Sequence, residues 1–381
     1  MTAAFLLILT ALLAAYCLLI CIYRYWFLRL KVYQPMPDGT PRTRFTIIIP
    51  ARNEAASIGH CLKSIVQLDY PPELLEVIVV NDHSTDDTPG IVLEWKQDFP
   101  QLRLINLADH LTGNQNAYKK KAIEIAVAQS SGNWMVTTDA DCIIPKKWLY
   151  LFDRYIQEHE PVFVAAPVMF TPNSSWLGIF QVLDFISLQG ITAAAVAAGY
   201  HSMCNGANLA YSKVAFDTVG GFKGIDHIAS GDDMLLMYKI SQAYPGKLGF
   251  LFSPEAIVQT APMPDWKSFL NQRIRWASKA DSYSEKSIFW VLFLVYCVNA
   301  LLLMGLLLGL FLQGFYPWVI CLLGVKTLVE ILFMWPVASF FNEQKLLIFF
   351  PLMQPLHLAY TVVAGWLGKF GRYQWKGRSV Q

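Results

Sequence analysis

The chain has few charged residues. Only 15% of its 381 residues are Asp, Glu, Lys or Arg, against about 25% in a typical soluble domain. The deficit lies at the two ends, because residues 5–30 are apolar and apolar character returns from Ile288 to about Leu367, whereas residues 40–285 have ordinary globular composition. A bilayer core requires about 20 apolar residues per helix. The composition therefore predicts a polar domain, residues 40–285, between membrane-embedded ends.

Two other signatures are missing. The seven cysteines are scattered without a C-x-x-C pair, which argues against a zinc site or a disulfide framework and for reduced thiols in a cytosol-facing domain. The net charge is only +2, with no dominant basic stripe in the polar domain, so nucleic acid is not an expected partner. No small-residue cleavage site follows the first apolar run, so we interpret residues 1–30 as a transmembrane anchor and not as a removed signal peptide.

Positive charges flank the apolar segments on one side. No Lys or Arg precedes the first segment, and Lys279 and Lys286 stand just before the second apolar block. The basic residues that follow the first segment are Arg24, Arg29, Lys31, Arg42 and Arg44. By the positive-inside rule the polar domain lies in the cytoplasm. We expect an integral membrane protein, most simply of a bacterial inner membrane.

The C-terminal apolar region, residues 286–368, divides into about three segments. These segments are 288–313, 316–340 and 346–368. If all three crossed the bilayer, the basic tail 369–381 would lie outside, against the charge rule. Pro351 and Pro355 interrupt the last segment, which makes a re-entrant or interfacial segment the alternative. We favour a cytoplasmic tail.

The polar domain alternates strand-like and helix-like segments. The runs "FTIIIP", "LEVIVV", "LRLINL" and "NWMVTT" are predicted strands, and the first three precede predicted helices. This alternation predicts a mostly parallel sheet with covered faces, which binds ligands beyond the carboxyl ends of its strands. Three of the strands end in polar groups, Arg52-Asn53-Glu54, Asn81-Asp82 and Asp139-Ala140-Asp141. A nucleotide-binding crevice is therefore expected at this edge.

Acidic residues recur at the predicted site. Asp139 and Asp141 point to the same side of an extended segment, and carboxylates with phosphate oxygens are the ligands that Mg²⁺ or Mn²⁺ prefers. We predict a divalent ion that bridges them to a diphosphate. Asp82 has an equally good alternative role as a cap of the next helix. Asp232 and Asp233 begin a predicted helix, either as favourable charges at its N-terminus or as a general base.

The stretch "QRIRW" lies just before the second apolar block. Gln272, Arg275 and Trp276 are spaced i, i+3 and i+4, so they share one face of a helix. Arg and Trp both suit headgroup depth, and an interfacial helix is therefore the simplest interpretation. A ligand-binding motif is the alternative, and this spacing alone is compatible with both.

In order along the chain, "VVNDHSTDDT", "TTDADC", "SGDD" and "QRIRW" resemble the motifs of the membrane-bound family 2 glycosyltransferases. That family includes cellulose, hyaluronan and chitin synthases and ceramide glucosyltransferase-like enzymes. The resemblance covers about residues 44–285, and "IIIPARNE" and "MCNGANLAYSKVAFDTVGGF" also look like family stretches. It implies a GT-A-type, Rossmann-like α/β nucleotide-sugar domain with α-helical transmembrane segments. It also implies an inverting enzyme that uses Mg²⁺ or Mn²⁺.

The resemblance also implies roles for individual residues. The donor nucleotide sugar would be bound by Pro50, Ala51, Arg52, Glu54, Asp82, Lys120, Lys121, Asp139, Gln272 and Arg275. Asp141 and Asp139 would bind the metal, and Asp233 would be the catalytic base. The acceptor would contact Trp276, Gly206, Asn208 and Asp232. Gly231 and Asp232 replace the first two residues of the commoner Thr-Glu-Asp motif, which leaves the role of Asp232 open.

The acceptor class depends on the apolar stretch 176–200. If this stretch crossed the bilayer, the acids on either side of it could not share a substrate. Gln181, Asp184 and Gln189 also favour an amphipathic helix at the interface, with a buried core helix as the alternative. Three C-terminal segments are few for a polymer channel. We therefore expect transfer from a UDP-sugar to a membrane lipid, with a processive polysaccharide synthase as the alternative and a non-catalytic membrane scaffold less favoured.

Overall fold

The structure is a computed structural model that describes residues 2–36, 39–111, 117–200, 203–228, 230–278, 286–312 and 314–371, and the backbone of strands 373–375 and 378–380. Lys279 and much of the basic tail lie outside the described residues. The chain forms two compact units. The α/β unit comprises Lys31–Thr171 and Ala195–Ala261, and the helical unit comprises Met1–Leu30, Pro172–Ala194 and Pro262–Gln381.

Helices and strands are numbered along the chain. The helices are α1 Thr2–Leu28, α2 Ile58–Val66, α3 Thr88–Asp98, α4 Tyr118–Gln129, α5 Trp148–His159, α6 Trp176–Ala197, α7 Lys213–Thr218, α8 Met234–Ala243, α9 Trp266–Ala277, α10 Lys286–Gly309, α11 Tyr316–Phe340 and α12 Phe350–Phe370. The strands are β1 Phe45–Ala51, β2 Leu75–Asn81, β3 Leu102–Asn106, β4 Trp134–Thr137, β5 Cys142–Ile143, β6 Phe163–Ala165, β7 Val168–Phe170, β8 Leu209–Ser212, β9 Leu248–Phe250, β10 Val258–Thr260, β11 Tyr373–Trp375 and β12 Arg378–Val380.

The α/β unit is built on a seven-stranded sheet with the order β3-β2-β1-β4-β8-β6-β9. The four predicted strands are β1 to β4, and they pair in parallel. Strand β8 runs antiparallel to both β4 and β6. The side chains of Ile47, Ile48 and Ile49 are all fully buried, which shows that both faces of the central strand are covered, as a parallel sheet requires. The predicted mostly parallel α/β sheet is confirmed.

A second, three-stranded sheet has the order β5-β10-β7. Strand β10 pairs in parallel with β7 and antiparallel with β5. Since β5 follows β4 after only four residues, this small sheet borders the turn that carries Asp139 and Asp141.

Five helices of the described residues are long and apolar enough to cross a membrane: Thr2–Leu28, Trp176–Ala197, Lys286–Gly309, Tyr316–Phe340 and Gln344–Phe370. Four of them expose most of their surface, with only 22% to 28% of the apolar window buried, whereas α6 is 78% buried. Within the helical unit Val337 and Phe333 lie against Gly190, and Phe180 packs on Phe269. This burial matches the core-helix alternative for residues 176–200 more closely than an amphipathic helix with one open face.

Helix α12 is continuous, although Pro351 and Pro355 were expected to interrupt it. Pro351 lies in the first turn, where a missing N–H costs nothing, and Pro355 is accommodated inside the helix. The second half of α12 runs beside α9, with Tyr360 near Phe269 and Ala364 against Ile274. The strands β11 and β12 pair antiparallel, and β11 packs against α9.

Candidate active site

The carboxyl ends of β1 and β2 bring the first two predicted motifs together. Ala51 is level with Asn81 in the parallel register, and the Asp82 N–H donates to the Ala51 carbonyl oxygen at 2.8 Å. The Arg52 guanidinium donates to the carbonyl oxygens of Asp82 and His83 at 2.9 and 3.1 Å. The sheet therefore places Arg52 and Asp82 side by side, as the strand-end argument predicted.

Asp82 does not cap the following helix. Helix α3 begins six residues later, at Thr88, and it is the Asp86 carboxylate that accepts from the Thr88 N–H at 3.1 Å. The Asp82 side chain is buried and lies 2.9 Å from Nδ1 of His83. The helix-cap alternative is wrong, and ligand binding by this carboxylate stays a prediction.

Other residues of the first motif are held by the same loop. Glu54 donates its N–H to the Thr88 hydroxyl at 2.8 Å, and its carboxylate accepts from the Ser57 hydroxyl at 2.8 Å. Pro50 is partly buried and the Ala51 side chain fully so. Any contact of Ala51 with a donor would therefore involve its backbone.

Asp139 and Asp141 follow β4 and lie near the same two thiols. Burial raises the pKa of Cys61 and of Cys142, and the charges of both carboxylates raise each pKa further. The two acids thus share one neighbourhood. No group of three or more His, Cys, Asp and Glu side chains is arranged for a metal in the described part of the chain. A magnesium ion bound with a diphosphate requires only one or two carboxylates, and this pair fits that requirement.

Lys119 contacts acids of both the second and the third motif, although it was not among the predicted site residues. Its Nζ atom lies 2.8 Å from Oδ1 of Asp139 and 3.2 Å from Oδ2 of Asp232. Burial opposes the charge of Lys119, but the carboxylates of Asp139 and Asp232 raise its pKa far above the ordinary lysine value. Lys119 therefore joins the second motif to the third.

The two lysines that the family resemblance favoured lie elsewhere. Lys120 is 1% exposed and donates to the carbonyl oxygens of Ile225, Ile228 and Ser230. Lys121 is half-exposed and pairs with Glu124 at 3.2 Å. The assignment of Lys120 to the donor does not fit this geometry, because its three N–H groups are already used. Three consecutive lysines on a helix point in three directions, and only the fold distinguishes them.

Asp233 is held by backbone N–H groups. Its Oδ1 accepts from the Met234 N–H at 2.7 Å, which makes it the N-cap of α8, and its Oδ2 accepts from the Gly206 N–H at 3.1 Å. A Cβ atom placed on Gly206 would lie 3.3 Å from both Lys119 Nζ and Asp232 Oδ2. Gly206, Asp232 and Asp233 therefore meet at one point beside Lys119.

Asn208 does not fit its predicted role in acceptor binding. The side chain is fully buried, and its amide donates to the carbonyl oxygens of Pro167 and Ala256 at 2.7 and 2.8 Å. Its Oδ1 accepts from the Trp148 indole at 2.8 Å. Every polar atom of this side chain is used inside the protein, so Asn208 supports the fold of β8 and cannot also contact a substrate.

The "QRIRW" stretch lies in the second half of α9 in the helical unit. Asp265 caps this helix by accepting from the Ser268 N–H at 2.8 Å. The Gln272 Oε1 accepts from Arg273 at 2.8 Å, and the Trp276 ring lies under the Arg273 guanidinium, 4.2 Å away. The predicted shared face of Gln272, Arg275 and Trp276 exists on a helix, but the buried charged residue of the stretch is Arg273. A charged residue between the motif positions gave no signal of burial in the sequence.

Family models match most of the chain. The model described as Glycosyl transferase family 2 matches residues 46–218, and the model described as Glycosyl transferase family group 2 matches residues 134–366. The chain belongs to the family 2 glycosyltransferases. The predicted family 2 glycosyltransferase is thereby confirmed, whereas metal dependence and inversion stay predictions.

Relatives of this chain include synthases that are named for different products. The chain is 28% identical over 252 residues to the probable glycosyltransferase YdaM of Bacillus subtilis, covering 61% of this chain and 54% of the relative. It is 27% identical over 245 residues to the beta-monoglucosyldiacylglycerol synthase of Synechocystis, covering 62% and 48%. It is 25% identical over 240 residues to the poly-beta-1,6-N-acetyl-D-glucosamine synthase of Staphylococcus epidermidis, covering 61% and 53%. The chain spans about half the length of these curated relatives.

A solved structure supports the fold. The mannosyltransferase PcManGT from Pyrobaculum calidifontis, in complex with GDP-Man and Mn²⁺, superposes with a TM-score of 0.61 and is 22% identical. The match covers 93% of this chain and 99% of that one. The predicted GT-A-type fold with apolar helices long enough to span a membrane is confirmed.

Proposed function

We propose that the transferase is a metal-dependent, inverting enzyme that moves a sugar from a UDP-sugar to a membrane lipid at the cytoplasmic face. The observation that carries this proposal is the cluster at the carboxyl edge of the sheet. There Lys119 contacts Asp139 and Asp232, and Gly206 holds Asp233 beside them. The end of this cluster at Asp139 suits a metal-bound diphosphate, and the end at Asp233 suits an attacking hydroxyl group.

The donor nucleotide would bind at the ends of β1 and β2. Arg52 is anchored on the Asp82 and His83 carbonyl oxygens, and the buried Asp82 carboxylate lies next to it. A carboxylate in this position suits the hydrogen-bond donors of a base or ribose. The donor and acceptor contacts expected of Gln272, Arg275 and Trp276 on α9 stay predictions from the family resemblance.

Asp139 and Asp141 would hold the Mg²⁺ or Mn²⁺ ion. Bound there, the ion would supply charge stabilisation for the departing diphosphate. Lys119 acts on the same side of the reaction, since its ammonium group already lies against Asp139. A fixed positive charge aimed at developing negative charge is among the largest contributions to catalysis.

Asp233 would accept the proton of the acceptor hydroxyl group. The Met234 and Gly206 N–H groups orient its carboxylate, which is the group that would act as the general base. The acceptor oxygen then forms a bond to the anomeric carbon while the bond to the diphosphate oxygen breaks. The proton goes to Asp233 and the bonding electrons leave with the diphosphate. A single displacement of this kind inverts the anomeric configuration.

A lipid acceptor is favoured by the buried polar groups of the helical unit. Lys326 pairs with Glu330 at 2.6 Å, and Gln354 bonds to both side chains at 2.9 and 2.7 Å. Arg273 and Asp184 likewise bond to each other. These groups satisfy one another inside the protein, whereas a polymer channel turns its polar groups toward a water-filled path. The related synthase of Synechocystis is named for a glucosyldiacylglycerol, which is a lipid. We infer that the acceptor of this chain is also a lipid.

The cytoplasmic tail is favoured by the packing around α9. This helix has only 12 residues and carries Lys267, Arg273 and Arg275, so it is too short and too polar to cross a bilayer. The second half of α12 and strand β11 both lie against it. Strand β11 therefore lies on the same side as α9, which supports an incomplete crossing by α12.

Membranes that contain the protein, assayed with a panel of UDP- and GDP-sugars, test the proposal. Mass spectrometry of the lipid extract should show a new glycolipid, and NMR should show an anomeric configuration opposite to that of the donor. Asp233→Asn should remove the product. A new polysaccharide without a glycolipid would exclude the lipid acceptor, and an equally inert wild type and variant with every donor would exclude the transferase activity.

A further inference from the structure

The loop between α7 and α8 carries the two acids of the third motif. We define the acid loop as residues 221–233. Its described residues form turns with no helix or strand, and Asp232 and Asp233 lie at its end. Turns of this kind have few backbone hydrogen bonds of their own, so a loop of this length needs other contacts to keep a fixed shape.

Lys120 lies beneath the acid loop as a buried ammonium group. Its Nζ atom donates to the carbonyl oxygens of Ile225, Ile228 and Ser230 at 2.7, 2.7 and 2.9 Å. Burying an unpaired charge is costly, and three carbonyl dipoles use all three N–H groups of the ammonium. The three acceptors belong to one loop, so a single cation holds three of its carbonyl groups together.

A second lysine holds the start of the same loop. The Lys239 Nζ atom, on α8, donates to the carbonyl oxygens of Gly221 and Lys223 at 2.6 and 2.8 Å. Lys239 therefore anchors the first three residues, and Lys120 anchors the stretch that leads to the acids. Ser230, the last carbonyl group that Lys120 binds, precedes Asp232 by two residues.

Helix α4 consequently contacts the third motif in two ways, through a side chain and through the backbone. Lys119 contacts the Asp232 carboxylate itself. Lys120 contacts the backbone carbonyl groups of the loop that precedes Asp232. We propose that Lys120 is a positioning residue, which holds the acid loop so that Asp233 stays on the Gly206 N–H and Asp232 stays on Lys119. Its function is exerted through these acids and not by contact with the substrate. The inference rests on the proposed function only for its effect on transfer, because the shape of the loop is measured separately.

The test compares Lys120→Met with a matched lysine elsewhere in the α/β unit. Lys213 donates to the Ser130 carbonyl and hydroxyl oxygens at 2.9 and 3.1 Å, and neither residue belongs to the acid loop. Lys213→Met therefore removes a partly buried ammonium–carbonyl contact without touching residues 221–233. Lys120→Arg is the conservative variant, since it keeps the charge but places planar N–H groups where a tetrahedral ammonium fits.

In Lys120→Met we expect kcat to fall about 100-fold, as a displacement of about 1 Å can cause, with the KM for the donor within about twofold of the wild type. Hydrogen exchange should accelerate in residues 221–233 and stay unchanged in β1 to β3. Lys120→Arg should have a kcat and a loop exchange rate between those of Lys120→Met and the wild type. Lys213→Met should keep the wild-type kcat. Rapid exchange throughout the α/β unit of Lys120→Met, or an unchanged kcat with an unchanged loop, overturns the proposal. If the wild type transfers no sugar, the proposed function fails, while the exchange data still decide whether Lys120 holds the loop.

Discussion

The guanidinium group of Arg273 and the carboxylate of Asp184 form a buried ion pair. The Arg273 Nε and Nη2 atoms donate to the same Asp184 oxygen at 3.0 and 2.6 Å, and the Tyr360 hydroxyl donates to the other oxygen. The two side chains are 4% and 3% exposed. These hydrogen bonds join α6, α9 and α12 within the helical unit, and Arg273 supplies the "QRIRW" side of the contact.

Removal of one partner of this pair should destabilise the helical unit strongly. Asp184→Asn leaves the guanidinium buried without a counter-charge, for which about 3–5 kcal/mol is typical. We expect a clear drop in the Tm of the detergent-solubilised protein, and Arg273→Met in the same chain should recover part of it. Lys147→Ala, which breaks the exposed Lys147–Glu255 pair, is the control and should leave the Tm unchanged. An Asp184→Asn variant as stable as this control would contradict the prediction.

Lys119→Met should abolish most of the transfer activity. Without the ammonium group, the carboxylates of Asp139 and Asp232 lose the cation that lies between them, and we expect a loss of kcat/KM on the order of 100-fold. Because those carboxylates raise the pKa of Lys119, the group stays charged between pH 6 and 9, below the ordinary lysine value of about 10.4. The loss should therefore be the same across that pH range. A loss confined to one end of the range would assign the effect to another group.

Gly231, which stands where the commoner Thr-Glu-Asp motif has Thr, has a backbone conformation that suits glycine. Its φ is +77°, and a Cβ atom would lie 3.0 Å from the Leu235 side chain. Left-handed backbone costs a residue with a Cβ about 1–2 kcal/mol. Gly231→Thr, which restores the commoner residue, should therefore lower both the Tm and kcat. The control is Gly199→Ala, at another positive-φ glycine with nothing within 4 Å of a Cβ. This variant should lower the Tm through backbone strain and leave kcat unchanged.

Glu76 predicts how the α/β unit responds to acid. Its carboxylate accepts from Ser131 N–H, the Thr46 hydroxyl and Arg103. Although burial opposes ionisation, these hydrogen bonds lower the pKa of Glu76. A lowered pKa contributes stability above the unfolded value of about 4.3, and that contribution disappears as the pH falls through the folded value.

Glu76→Gln should consequently have a lower Tm than the wild type at pH 7, with the difference shrinking below about pH 4. Thermal unfolding followed at several pH values provides the measurement. Glu94→Gln, on the exposed surface of α3, should show no difference at any pH. A Glu76→Gln deficit that persists unchanged at pH 3 would mean that packing, and not ionisation, is responsible.

Chelation should reveal the metal requirement. EDTA is expected to stop transfer, and Mn²⁺ or Mg²⁺ should restore it, because the proposed diphosphate site relies on the two carboxylates after β4. Asp141→Asn removes one ligand charge and should raise the Mn²⁺ concentration required for half-maximal activity. Ca²⁺, which prefers more ligands and longer bonds, should restore less activity. Full activity in EDTA would refute the metal-dependent proposal.

Local patterns were sufficient for the strands and for the order of the motifs. Strands β1 to β4 were predicted because β-branched runs that end in polar residues are typical of a covered parallel sheet. The proximity of Arg52 and Asp82 followed from the same argument, since parallel strands share their carboxyl edge. Helix α6 was predicted as a helix, but the choice between an interfacial and a buried core helix stayed open, because an apolar composition suits both positions.

The sequence by itself determined the family, the α/β alternation and the acids that gather at one edge of the sheet, because these features depend on residue type and short spacing. Only the tertiary structure decided which of three adjacent lysines meets the acids, which one holds the loop, and that Arg273 and not Arg275 is buried. It also showed that Asn208 is consumed by internal hydrogen bonds. A side chain's role in these cases depends on contacts with residues far away in the chain, which short-range sequence patterns do not predict.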